Sequence, residues 1–94
     1  MAKKAERTRD SKMAEHFRTN VVAVLEAKDI QRVELAERLK IVIGNCTKSY
    51  VSQVLNARHN PSLGVVEDFA EALMIKEPTD LLVKHTKSYW RDRL

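Results

Sequence analysis

The amino-acid sequence predicts an all-α fold, and three observations carry that expectation. Apolar residues recur at i, i+3, i+4 and i+7 along successive stretches of the chain, the spacing that gives a helix one buried stripe. No stretch alternates apolar and polar residues as a half-buried strand would, and no internal repeat is visible. Gly44, Pro61 and Pro78 stand at the breaks between the periodic stretches, where a cap, a loop and a first helical turn need them. A chain of 94 residues with 44% hydrophobic residues is expected to form one domain, residues 1–94, with a real core.

Residues 1–10 are a basic, core-free arm, in which Lys3, Lys4, Arg7 and Arg9 outnumber Glu6 and Asp10. Such a leader reads first as a disordered tail. The first helix is expected from Asp10 or Ser11 to about Lys28, burying Met13, Phe17, Val21, Val24 and Leu25. The second starts near Gln31 and buries Leu35, Ala36 and Leu39, with Val33 at its edge. Val42 and Ile43 extend that stripe, so the helix is expected to run one further turn, to a left-handed cap at Gly44. The alternative is a helix that stops near Lys40, with a loop from Ile41 to Cys46.

Thr47 is a good N-cap for a third helix, reading to Arg58, whose Val51, Val54 and Leu55 form its buried stripe. Pro61 keeps Asn60 out of helix, and Ser62 caps a fourth helix from Leu63 to about Ile75. That helix is expected to bury Leu63, Val66, Phe69, Ala70, Leu73 and Met74. Pro78 suits the first turn of a C-terminal helix within residues 76–94, with Leu82, Val83, Thr86, Tyr89, Trp90 and Leu94 along one side.

The outward face of the third helix is Lys48, Ser49, Ser52, Gln53 and Asn56. A solvated helix ordinarily carries Glu and Lys pairs, whereas short polar and amide side chains both donate to and accept from the edges of bases. Charge placement agrees with that. From Arg38 to Val66 there is no Asp or Glu, although the chain has 13 acids, and Arg38, Lys40, Lys48 and Arg58 lie in the window. A polyanion approaching there meets no like charge and loses counterions to the cations. The formal net charge of +4 and pI near 9.4 fit a nucleic-acid partner. The arm then has a sharper reading, in which Lys3, Lys4, Arg7 and Arg9 reach phosphates or a minor groove.

Other chemistries find little support. One cysteine, Cys46, allows no internal disulfide and no thiolate-built metal site. His16, His59 and His85 lack ligand-like spacing, and two glycines make no phosphate loop. No catalytic constellation, metal or cofactor is expected. The charged start has no apolar segment behind it, and no run approaches membrane-spanning length, so a cytoplasmic protein is expected.

Leu35-Ala36-Glu37-Arg38-Leu39, Ser49 to Val54, Asn56-Ala57-Arg58 and Asn60-Pro61-Ser62-Leu63 occur in an order that resembles the Cro-type, lambda-repressor-like helix-turn-helix family. The likeness covers roughly Phe17 to Ile75. It implies a compact five-helix domain and a DNA-binding regulator, acting as a repressor of bacterial or phage type on a palindromic operator as a dimer. By that resemblance Lys48, Ser49, Ser52 and Gln53 read base edges, and Arg32, Thr47, Asn56, Arg58 and His59 contact the DNA backbone. Each has a plainer role open to it: Thr47 as a cap, Asn56 as a helix-end partner, Lys48 and Gln53 as solvated surface.

The chain departs from the family pattern in three places. It has about five more residues between Leu39 and Thr47, Ala57 stands where glycine is usual, and the segment beyond Ile75 has no counterpart. That segment reads either as a dimer interface built on Leu82, Tyr89 and Trp90, or as a tail folded back on the first helix. A second function class is an antitoxin-like protein-interaction module that also binds its own promoter.

Overall fold

The computed structural model describes residues 12–56 and 60–94, and there the chain is all-helical and compact, with no strand among the described residues. The elements are α1 (Lys12–Lys28), α2 (Arg32–Ile43), α3 (Lys48–Asn56), α4 (Leu63–Ala72), a 3-10 helix η1 (Pro78–Leu82) and a short α5 (Lys87–Arg93). No described helix is long and apolar enough to cross a membrane.

One core joins them. Phe17, Val21, Val24 and Leu25 of α1 meet Leu35, Ala36 and Leu39 of α2, Val51 and Leu55 of α3, and Val66, Phe69 and Ala70 of α4. Phe17 and Phe69 meet edge to face with centroids 5.4 Å apart, the geometry their ring quadrupoles favour. The stripe centred on Phe17, Val21 and Leu25 passes through Ala14, which leaves Met13 at its margin and exposed rather than in the core as expected.

The expected extra turn of α2 is present. Gly44 adopts φ +89° and its N–H bonds the Lys40 carbonyl at 2.8 Å. The residues between Leu39 and Thr47 therefore lengthen a helix, and the turn is only Gly44 to Thr47. That added turn outruns the helices covering Leu35 and Leu39. Val42 is half-buried, whereas Ile43, expected in the stripe, is exposed and Ile41 is 88% exposed.

Helices α1 and α4 end the same way. The Asp29 and Ile30 amides bond Glu26 and Leu25 carbonyls, and the Met74 and Ile75 amides bond Glu71 and Ala70 carbonyls. This is the Schellman pattern, and it places Asp29 at φ 58° and Met74 at φ 62°. Met74 thus leaves the helix and points outward, 75% exposed, while Leu63 at the other end of α4 is 73% exposed. Both were expected in the core; the helix ends at Ala72 because Ile75 turns back onto it. Lys28 Nζ donates to the Leu73 carbonyl at 2.8 Å and Arg38 Nη1 to that of Ala72 at 3.4 Å, two cations at the negative end of α4. Desolvation, and then Arg38, hold the Lys28 ammonium below its ordinary pKa.

Met74 has a side chain that packs little and a backbone that suits glycine. Met74→Gly is expected to stabilise the fold by roughly 0.5–1 kcal/mol, and Gly44→Ala to destabilise it by about 1 kcal/mol. Paired urea melts check this. Equal signs for the two variants would mean that backbone strain does not govern these positions.

The expected single C-terminal helix is split. Asn20, nearly buried on α1, donates through Nδ2 to the carbonyls of Leu81 and Val83, each at 2.8 Å. Carbonyls taken by a distant side chain do not carry a helix forward, and Val83 is extended. The chain resumes as α5, where Trp90 is 2% exposed and its indole N–H donates to Asn20 Oδ1 at 2.9 Å. Leu81 rather than Leu82 fills the core. Leu82 and Tyr89 are half-buried, and Val83, Thr86 and Leu94 are exposed. The aromatic stripe read as a dimer interface is therefore not a free surface at Trp90, which folds back onto α1.

Candidate nucleic-acid interface

Helix α3 is fixed at its start by a local cap. Thr47 Oγ1 accepts the Tyr50 amide at 3.1 Å, and the Thr47 carbonyl accepts from Val51. At about 100° per residue, Lys48, Ser49, Ser52, Gln53 and Asn56 fall within an arc of roughly 140°. Tyr50, Val51, Val54 and Leu55 occupy the other side, where Val51 and Leu55 are buried and Tyr50 and Val54 pack half-buried against the core. Lys48, Ser49, Gln53 and Asn56 are exposed and Ser52 is half-buried. The four residues expected to read bases thus share one presented face, seated by α2, against which α3 packs.

The expected backbone contacts are less uniform. Thr47 is exposed, but its hydroxyl oxygen already serves the helix cap. Asn56 stands exposed at the last turn of α3. Arg32 opens α2 and is half-buried in a shallow cleft of about 270 Å³ whose walls include Glu26 and Asp29, so that cation lies among acids. Arg58, His59 and the arm residues Lys3, Lys4, Arg7 and Arg9 lie outside the described residues.

The acid-free window is less positive in space than along the chain. Arg38 pairs with Glu34 at 3.3 Å and Lys40 with Glu37 at 3.6 Å, acids that sit just before the window. Both pairs are exposed, each worth about 0–1 kcal/mol, but they neutralise two of the four cations. Among the described residues Lys48 is the cation of the window without an ion pair. Asn45, an exposed polar residue of the turn beside Thr47, was not singled out from sequence, although its place in the acid-free window was the available signal.

Cys46 lies buried under this turn, its Sγ 3.7 Å from the Thr47 carbonyl. Burial pushes its thiol pKa up, with Lys40 pulling the other way and Glu37 adding to the rise. Burial, then Cys46 and Asp68, likewise raise the Tyr50 phenol. Neither group is an activated nucleophile. No group of three His, Cys, Asp or Glu among the described residues could hold a metal ion. The arrangement offers hydrogen-bond donors and acceptors along one face of α3. No family model, curated protein or solved structure matches this chain.

Proposed function

We propose that this protein is a sequence-specific DNA-binding regulator of the Cro-type, lambda-repressor-like kind, with α3 entering the major groove of double-stranded DNA. The observation that carries the reading is the division of α3 into a core-locked apolar side and an acid-free face of Lys48, Ser49, Gln53 and Asn56, all exposed, with Ser52 half-buried among them. Lysine donates to the guanine O6 and N7 acceptors, and glutamine pairs with adenine N6 and N7. The regulator represses by occupying an operator inside a bacterial or phage-infected cell, as a dimer on half-sites ~34 Å apart. With Trp90 in the core and the Tyr89 ring held between His85 and Arg93, the C-terminal contribution to a dimer rests on Leu82. The reading includes no catalytic step and no cofactor.

Selection from random duplexes, followed by anisotropy titration of the enriched site, tests this. Affinity should fall steeply between low and high salt, because bound phosphates release counterions. Lys48→Ala and Gln53→Ala should each reduce discrimination between the enriched site and random DNA by roughly 5- to 150-fold, the worth of one good base contact. Arg58→Ala should weaken both duplexes alike. Salt-insensitive binding would remove the DNA reading, and equal losses on both duplexes for all three variants would remove the base-reading assignment.

A second reading, an antitoxin-like module that binds a protein as well as its promoter, is favoured by Val33 and Ile41. These exposed apolar residues lie on the outer side of α2. A toxin-like reading frame beside this one would support it.

A further inference from the structure

The molecule carries a cleft that recognition through α3 does not use. It encloses about 400 Å³ between the first half of α1 and the segment before α5, and is lined by Lys12, Glu15, His16, Thr19, Lys84 and His85. Lys12 and Lys84 face Glu15 in it, while the Asp80 carboxylate lies behind His85 and is taken up by His85 and Tyr89. A space of this size exceeds a bare phosphate and suits a small organic molecule attached to one.

His85 is held in place on two sides. Its Nε2 lies 3.0 Å from the Asp80 carbonyl and 3.1 Å from Asp80 Oδ1, both acceptors, so Nε2 carries a hydrogen. Tyr89 stacks on the ring at 3.5 Å, nearly parallel, and donates its hydroxyl to Asp80 Oδ2 at 2.7 Å. The Arg93 guanidinium lies 4.0 Å from the Tyr89 centroid, which leaves it only the opposite face of that ring. With Nε2 committed to Asp80, Nδ1 is the nitrogen His85 has left for another partner. In the imidazolium form Nδ1 donates as well. An imidazole whose orientation is already set loses little freedom when it meets a ligand.

We propose that this cleft binds a small phosphate-bearing molecule. Lys12 and Lys84 supply the charge, Thr19 a hydroxyl donor and His85 a ring of fixed orientation whose Nδ1 can meet a protonated phosphate oxygen. Glu15 opposes the anion and limits its affinity. The site joins α1 to the C-terminal segment, so occupancy tightens the seam that Asn20 and Trp90 hold and raises thermal stability by linkage. This inference does not depend on DNA recognition by α3.

Amide-resolved NMR titration of the full chain with inorganic phosphate, against chloride and sulfate at matched ionic strength, tests it. A duplex oligonucleotide forms a separate arm. Phosphate is expected to produce saturable shifts at Thr19, Lys84 and His85 that chloride does not, with a rise in melting temperature. Lys84→Ala, at an exposed position that leaves the fold intact, should weaken phosphate about tenfold or more, the worth of one charge-assisted hydrogen bond. Glu15→Gln should bind it more tightly than the parent. The proposal is overturned if the shifts do not saturate, if chloride reproduces them, or if Glu15→Gln leaves affinity unchanged. It is also overturned if these residues respond to the duplex alone, which would make them contacts to a DNA backbone.

Discussion

Asn20→Ala should remove about 3 kcal/mol or more of folding stability, although it deletes only a small amide. The side chain is 3% exposed and makes three hydrogen bonds, to the carbonyls of Leu81 and Val83 and from the Trp90 indole. Deleting it strands the buried Leu81 carbonyl and Trp90 indole N–H, each at a cost of ~1–3 kcal/mol, and leaves the part-buried Val83 carbonyl to water. Asn20→Asp should be worse at neutral pH, because a carboxylate then faces two carbonyl oxygens with no proton to offer them. Trp90→Phe should cost less than Asn20→Ala, since the two backbone carbonyls keep their donor. Trp90 is the only tryptophan, so its fluorescence in a urea titration reads the seam directly. A loss below about 0.5 kcal/mol for Asn20→Ala would show that water replaces the amide at no net cost, and that the seam is held by apolar packing alone.

That seam marks where the sequence stopped being legible. The caps at Thr47, Ser62 and Gly44 were readable because each bond closes within four residues, so the residue types announce the geometry. Asn20 acts on partners 61, 63 and 70 positions away, and helical periodicity carries no sign of such a bond. Without it, Leu82 to Leu94 read as one continuous amphipathic helix. With it, two carbonyls are taken, the helix breaks, and Trp90 turns inward. Met74 failed for a different reason: its apolar side chain matched the stripe, but the Schellman turn around it depends on Ile75 packing back.

The polar face of α3 was legible because angular position on one short helix follows from spacing alone. Its electrical setting was not read as well. Glu34 and Arg38 are four apart and Glu37 and Lys40 three apart, the intervals at which helix neighbours pair, so acids just before the window reach two of its cations. Lys48 carries more of the remaining electrostatic argument for that reason. The lengthened connection after Leu39 was resolved in favour of helix, because Gly44 supplies a cap that no other residue of the segment provides.

Phe69→Ala should destabilise the fold by about 3–5 kcal/mol, the range for emptying a packed aromatic site, and a larger effect than any surface change at α3. Phe69 is fully buried on α4, which packs mainly against α2 and η1, and it meets Phe17 of α1 edge-on at 5.4 Å. Small domains hold only about 5–15 kcal/mol in total, so this one change uses a large share of the margin. The double variant with Phe17→Ala should cost less than the sum of the singles by roughly 0.5–1.5 kcal/mol, the aromatic coupling lost once rather than twice. Its effect on DNA binding should also differ in kind from that of Lys48→Ala. Unfolding withdraws the whole molecule, so Phe69→Ala should lower binding to specific and random duplexes by the same factor, and cooling should restore both. Lys48→Ala should leave the melting temperature near that of the parent and change the ratio of the two affinities at every temperature. If Phe69→Ala altered that ratio while remaining folded, the core around Phe69 would be setting the pose of α3, and the face could not be treated as a rigid element carried on an independent scaffold.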